Sequence, residues 1–276
     1  MNKVDSPIGV FDSGVGGIST LKVLATMLPH EDFVFFGDSG NAPYGEKRRE
    51  EVQRLTDNAV QKLLKHHIKG MVIACNTATS AAKPMLIERY PDLTIVGIEP
   101  ALKEAVDNGA RNILVMATPL TLAMPKFQKQ LHLFSGERHI ETLPCSGLAG
   151  LIECGAQRLD DVRDLLRRLL STTSGTRFDA VVLGCTHYPF VKKLIADYIP
   201  SQPRFYTGYE GLTRHLTHLL GDAKLLRTSN PDRHIEFLSS SVNPHETDLY
   251  RELFTSSFES STQFGRPYTY LSISHE

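Results

Sequence analysis

The chain has 276 residues, 41 % apolar, 22 % charged and 8 % aromatic, with 30 Lys and Arg against 31 Asp and Glu. That balance offers neither a broad basic face for nucleic acid nor a polybasic membrane anchor, and the length suits one large domain or two of about 100–150 residues. No apolar run approaches the roughly 18 residues of a membrane span, and the opening MNKVDSPIGVF lacks a signal-peptide core, so a cytoplasmic protein is expected.

Short apolar runs recur along the chain: Ile8 to Phe11, Phe33 to Phe36, Met71 to Ala74, Thr94 to Ile98, Ile113 to Ala117, Ala180 to Leu183 and Arg204 to Tyr206. Continuous apolarity over so few residues predicts strands buried on both faces of a parallel sheet. Between them lie helix-like stretches. Glu46 to His67 carries Val52, Leu55, Ala59 and Leu63 on one stripe, with Glu50, Glu51, Arg54, Asp57 and Lys62 off it. Further helices are predicted over Gly17 to Leu28, Ser80 to Tyr90, Pro100 to Asn108, Thr121 to Leu133, Asp160 to Leu170, Pro189 to Tyr198 and Gly211 to Leu220. Alternation of strand and helix predicts an α/β fold layered around mainly parallel sheets. After Asp222 the chain is Ser-rich and weakly periodic, with one strand expected over His234 to Leu238.

An internal echo runs through this pattern. KGMVIACNTAT (Lys69 to Thr79) and DAVVLGCTHYP (Asp179 to Pro189) share the order apolar strand, small residue, Cys, polar helix entry; IGVFDSG (Ile8 to Gly14) and NILVMATP (Asn112 to Pro119) form a second pair. Two related α/β halves, each with one Cys-bearing loop, would account for it.

The four cysteines are too few for a disulfide scaffold, and no CxxC pair suggests zinc or thioredoxin-like chemistry. Cys75 and Cys185 fall just beyond strand ends, where α/β sheets bind ligands and helix N-termini point N–H groups outward. A free thiol is only roughly 3 % thiolate at pH 7, and such a position raises that fraction. A lone cysteine ending a strand is usually packing; two in matched settings leave packing and function both open. Cys145 and Cys154, in ETLPCSGLAGLIECGAQ, read as structural.

The first loop, FDSGVGG (Phe11 to Gly17), is neither a P-loop nor G-x-G-x-x-G, since Ser19 stands at the last glycine's place. Ser13 and free amides there could hold a carboxylate or phosphate. Asp12 could serve as a helix N-cap or as a catalytic group. Of eleven histidines, His66 and His67 end a helix, His215 and His218 lie on a helix surface, and His187 alone has a reactive-looking neighbour, Cys185.

Together FDSGVGG, NAPYGEK (Asn41 to Lys47), ACNTAT (Ala74 to Thr79), GIEPA (Gly97 to Ala101) and LGCTHYP (Leu183 to Pro189) resemble, in that order, the glutamate racemases of the aspartate/glutamate racemase superfamily. The resemblance runs from about Ile8 to Leu220. It implies two similar three-layer α/β domains facing each other across a cleft. The first, discontinuous, comprises residues 1–98 plus 208–276 with Asp12 and Cys75; the second comprises 99–207 with Cys185 and His187. It implies cofactor-independent two-base racemisation of L- and D-glutamate, without pyridoxal phosphate, metal or nucleotide, supplying D-glutamate for peptidoglycan. In that reading Cys75 deprotonates D-glutamate and Cys185 L-glutamate, assisted by Asp12 and His187 respectively. Glu153 tunes the proton chain near His187, or is a plain helix-surface residue. Ser13, Asn76, Thr77 and Thr186 hold carboxylates, and Tyr44 and Gly45 form a loop contact to substrate. Thr118 is either a further contact or a cap before Pro119. FYTGYEG (Phe205 to Gly211) departs from the family pattern, which often has an acidic residue there, and carries nothing over. Glutamate is the expected small-molecule partner, with neither nucleic acid nor membrane. Relatives are often dimers, and some are activated by a peptidoglycan precursor, so a homodimer and such an activator are further expectations. Two alternatives from other classes stand beside this. A Cys–His hydrolase would use Cys185 and His187 but leave Cys75 idle, and a sensor would bind an acidic metabolite without exchanging its α-proton. A racemase of aspartate or another acidic amino acid is the near alternative.

Overall fold

The computed structural model describes residues 3–154, 158–173, 175 and 177–255; the expected assignment of 256–276 to the first domain lies outside them. Strands β1 (Ile8–Asp12), β2 (Phe33–Gly37), β3 (Gly70–Ile73), β4 (Thr94–Gly97) and β9 (Ile235–Ser239) form one sheet in the order β4-β3-β1-β2-β9. Strands β5 (Asn112–Ala117), β6 (His139–Pro144), β7 (Ala180–Gly184) and β8 (Arg204–Tyr206) form another in the order β6-β5-β7-β8. Every pairing among them is parallel. The helices are α1 (Gly17–Met27), α2 (Arg49–Leu64), α3 (Asn76–Arg89), α4 (Leu102–Asp107), α5 (Pro119–Ala123), α6 (Pro125–Phe134), α7 (Leu148–Glu153), α8 (Leu159–Leu170), α9 (Lys192–Asp197), α10 (Tyr209–Asp222) and α11 (Glu246–Thr255). The chain divides into two compact units: one gathers the described residues of Met1–Ile98 and Gly208–Phe254, the other those of Glu99–Thr207 together with Thr255.

Strand alternation builds the first unit. On β2, Phe35 faces α1 and the edge of the Tyr250 ring, while Phe36 lies beneath Lys62 of α2. Both rings are buried, as parallel strands covered on two faces require. The second unit repeats this. Leu102 and Ala105 of α4, Leu122 of α5 and Phe127 of α6 cluster with Ile113, Val115, Ala117, Ala180 and Val182. The alternate residues Leu114, Met116 and Val181 are buried as well. Counted from its own first strand, each sheet places its first four strands in the order fourth-third-first-second. The two echoing segment pairs are therefore equivalent neighbours: β1 beside β3, and β5 beside β7.

Several elements depart from the sequence pattern. The helix predicted over Thr121 to Leu133 is two helices broken at Met124, because Pro125 cannot extend the preceding turn. Strand β6 carries no apolar run, since it is a sheet edge with only Leu143 buried. Helices α7 and α11 were not anticipated, and α3 begins four residues earlier than its periodicity suggested. Among the described residues, no helix is long and apolar enough to cross a membrane.

At the N-terminal ends of β2 and β3, Lys69 and Glu31 form an ion pair of 2.5 Å with side chains 0 % and 1 % exposed. Lys69 Nζ also donates to the carbonyls of Val4 (2.7 Å) and Leu225 (2.8 Å), and Glu31 accepts from the Arg227 amide at 2.9 Å. Removing one partner of such a pair strands the other charge out of water. Lys69→Met is expected to lower the unfolding free energy by about 3–5 kcal/mol, read as a fall in the urea midpoint without a change in the m-value.

Candidate active site

In a doubly wound sheet the ligand crevice opens where the chain turns from winding one way to winding the other, beyond the carboxyl ends of the strands. Here those points lie between β1 and β3 in one sheet and between β5 and β7 in the other. Asp12 ends β1 and Cys75 follows β3; Thr118 follows β5 and Cys185 follows β7.

Around the first point, Cys75 is the N-cap of α3 and its sulfur accepts from the Ala78 amide at 3.4 Å. The Ser13 hydroxyl donates to the same sulfur at 3.4 Å. Two donors and a helix N-terminus directed at one sulfur form the environment that stabilises a thiolate. Asn76 and Thr77 open α3 and are buried. Asp12 is fully buried and accepts from the Gly14 amide at 3.0 Å, an Asx turn within the loop. It does not cap α1, whose N-cap is Gly16. Gly17 has to be glycine, because a Cβ there would run into the Cβ of Asp12.

Tyr44, 1 % exposed, donates its hydroxyl to Asp38 at 2.6 Å, and Asn41 donates to the other oxygen of Asp38 at 3.0 Å. Burial, then the Asp38 charge, pushes the Tyr44 phenol far above its usual range, with Cys75 and Asp12 close enough to add to the shift. The phenol is therefore a neutral donor. Gly45 beside it is half-buried. Asp38 was not singled out from the sequence. The available signal was a repeat, since Asp38-Ser39-Gly40 comes directly after β2 much as Asp12-Ser13-Gly14 comes at the end of the adjacent β1.

Around the second point, Cys185, Thr186 and His187 are all buried. His187 Nδ1 lies 3.7 Å from the Cys185 sulfur, and Nε2 pairs with Glu153 at the end of α7. Burial works to lower the imidazole pKa, but the Glu153 carboxylate and Cys185 outweigh it and hold His187 well above its usual value. The segment after Cys185 enters a 3₁₀ turn (Tyr188–Val191) before α9, not the α-helix predicted from Pro189. Thr118 caps α5, accepting from the Thr121 amide at 3.3 Å, which is the capping alternative for that residue. Glu153 is not a plain surface residue, its side chain being 17 % exposed and paired.

Cys145 is buried, donates to the Leu143 carbonyl at 3.3 Å, and its thiol is pushed up to about 12 by burial and then by the neighbouring Cys185. It is inert packing. Cys154 is exposed, so the structural reading fails for it: α7 ends one residue earlier and releases its side chain to solvent. His215 and His218 lie exposed on α10, and His66 pairs with Glu236 at 3.1 Å just beyond α2.

Comparison with known proteins agrees with this arrangement. A family model described as Asp/Glu/Hydantoin racemase matches residues 19–207. A glutamate racemase of Clostridium botulinum (strain Langeland / NCTC 10281 / Type F) is 43 % identical over 251 residues, 91 % of this chain and 97 % of that protein. Crystalline glutamate racemase from Francisella tularensis subsp. tularensis SCHU S4, in complex with D-glutamate, has a TM-score of 0.79 at 28 % identity over 93 % of this chain and 96 % of its own. Escherichia coli glutamate racemase, in complex with L-glutamate and the activator UDP-MurNAc-Ala, has a TM-score of 0.71 at 27 % identity over 90 % and 92 % of the two chains. With two cysteines at equivalent switch points of two repeated sheets and matches extending over nearly the whole sequence, the chain belongs to the Asp/Glu/Hydantoin racemase family and is by class an isomerase.

Proposed function

We propose that the protein interconverts L- and D-glutamate by a two-base mechanism without a cofactor, with Cys75 and Cys185 as the acid–base pair. The observation that carries this is the equivalence of the two cysteines, each buried beyond the third strand of its own sheet beside a distinct polar group. The 43 % identity to a named glutamate racemase supports the substrate. A Cys–His hydrolase would give Cys75 no task, and family membership favours the racemase.

Racemisation removes a proton from the α-carbon on one face and returns one on the other. With D-glutamate, the Cys75 thiolate takes the α-proton and leaves a carbanion, and the Cys185 thiol delivers its proton to the opposite face. The product is L-glutamate with Cys75 as thiol and Cys185 as thiolate, the form that accepts L-glutamate; proton exchange with water resets the pair. Positioned acid–base groups of this kind contribute about 10²–10⁴-fold each. Asp12 assists on the Cys75 side and His187, held by Glu153, on the Cys185 side. Ser13, Asn76, Thr77 and Thr186 are buried neutral donors suited to the substrate carboxylates, which fixed dipoles hold at no reorganisation cost. Thr118 contributes a weaker contact from its capping position, and Tyr44 and Gly45 supply the loop contact.

The product would serve peptidoglycan synthesis in the cytoplasm. A homodimer and activation by a peptidoglycan precursor, as with the Escherichia coli relative and its UDP-MurNAc-Ala activator, complete the reading. The test is the decay of circular dichroism from L-glutamate and from L-aspartate under equal conditions. One methylene of substrate is worth about 10–200-fold in kcat/KM, so glutamate should lead by at least tenfold. Equal or faster turnover of aspartate would replace the substrate assignment.

A further inference from the structure

The segment after Asp222 has no role in the chemistry described so far, yet two of its residues hold the loop that carries Tyr44 and Gly45. The Tyr250 hydroxyl of α11 lies 2.8 Å from Ser39 Oγ and 3.3 Å from Ser239 Oγ. Its ring is fully buried, edge-on to Phe35 at 5.2 Å. Ser240, one residue past β9, accepts from the Gly40 amide at 3.1 Å through its hydroxyl, and its own amide donates to the Gly37 carbonyl at 3.1 Å. The fit is close: a Cβ on Gly37 would strike the Tyr250 hydroxyl, and one on Gly40 would stand 2.6 Å from the Ser240 carbonyl. From this pinned stretch the chain continues through Asn41, which bonds Asp38, to Tyr44, which bonds the same carboxylate.

We propose that Ser240 and Tyr250 are positioning residues for substrate binding, clamping Ser39 and Gly40 so that Asp38, Tyr44 and Gly45 present a preformed edge to the substrate. The inference rests on the reading above, in which Tyr44 and Gly45 meet glutamate. Without the clamp the loop samples conformations in which that contact is absent, and a contact made equally in ground and transition states appears in KM rather than kcat.

Tyr250→Phe keeps the ring and its packing but removes the hydroxyl; Ser240→Ala removes a half-buried hydroxyl. Two measurements apply to each. Hydrogen exchange of the 37–47 segment, which needs no substrate, should quicken relative to wild type while exchange over α2 stays unchanged. KM for both enantiomers of glutamate should rise about 3- to 10-fold, the loss of one or two hydrogen bonds, with kcat within twofold. A purely structural role would instead lower the active fraction, reducing apparent kcat at constant KM. Unchanged exchange over 37–47, or a KM within twofold of wild type, overturns the inference. Failure of the wild-type protein to racemise glutamate would overturn the substrate reading, leaving the exchange measurement to decide the clamp.

Discussion

Cys75→Ser and Cys185→Ser are each expected to slow racemisation by about 10³-fold or more, at the upper part of what one positioned acid–base group supplies, while the far-UV spectrum stays unchanged. Serine is nearly isosteric, and the hydrogen bonds from Ser13 and the Ala78 amide can pass to its oxygen, so the loss is one of acidity rather than shape. The two variants should also differ from each other in heavy water. With Cys75 replaced, the Cys185 thiolate can still remove the α-proton of L-glutamate and, once the resulting thiol has exchanged its proton with heavy water, return a deuteron to the same face, giving exchange without inversion for L-glutamate alone. Replacing Cys185 should restrict exchange to D-glutamate. Proton NMR of the α-position reads both outcomes, and Cys145→Ser serves as a control with racemisation intact. Exchange of the same enantiomer in both variants would refute the assignment of faces.

Glu153→Gln should lower kcat/KM by about 10- to 100-fold, because it weakens without removing an acid–base contribution of about 10²–10⁴-fold. It should fall by the same factor in both directions, because the enantiomers have equal free energy in solution. The location of the defect shows in the primary isotope effect: it should grow with [2-²H]-L-glutamate, whose proton goes to Cys185, and not with the D enantiomer. The variant also tests the electrostatics. Glu153 is a main reason His187 stands above its usual pKa despite complete burial, so the imidazole NMR titration should move to lower pH. The raised pKa means that the native state binds the His187 proton more tightly than the unfolded chain. This stabilisation is complete below the unfolded pKa of about 6.5 and is lost as pH rises through the native value. Wild type should therefore lose unfolding free energy between about pH 6.5 and the native pKa, and the Glu153→Gln slope over that range should flatten. An unchanged His187 titration would show that the carboxylate is not what holds the proton.

The parts of this architecture visible in the sequence are those encoded locally. Strands such as Phe33 to Phe36 announce burial on both faces through unbroken apolarity, and the repeat of Cys75 and Cys185 behind similar strands is an echo that the shared strand order explains. What depends on distant partners was not legible. Strand β6 pairs at one edge, so burial leaves little mark on HIETLP. The Glu153–His187 pair joins residues 34 apart, and before the fold existed Glu153 could be singled out only by resemblance to relatives. Asp38 and Tyr250 act through hydroxyl and carboxylate contacts that no periodicity announces, the second across 211 residues of chain.

The interrupted first unit has a consequence for biosynthesis. Its sheet is started by β1 to β4, but β2 receives its outer neighbour, β9, only after the whole Glu99–Thr207 unit has been made. Roughly 140 residues separate Ile98 from that strand, roughly 7–30 s at ordinary ribosomal speeds. Throughout that interval the β2 edge, rich in phenylalanine, has no partner in the nascent chain, and for most of it the Lys69–Glu31 pair lacks the Leu225 carbonyl that accepts from Lys69 and the Arg227 amide that donates to Glu31. The emerging protein thus spends its most aggregation-prone moments with one half able to close by itself and the other waiting for its last strand.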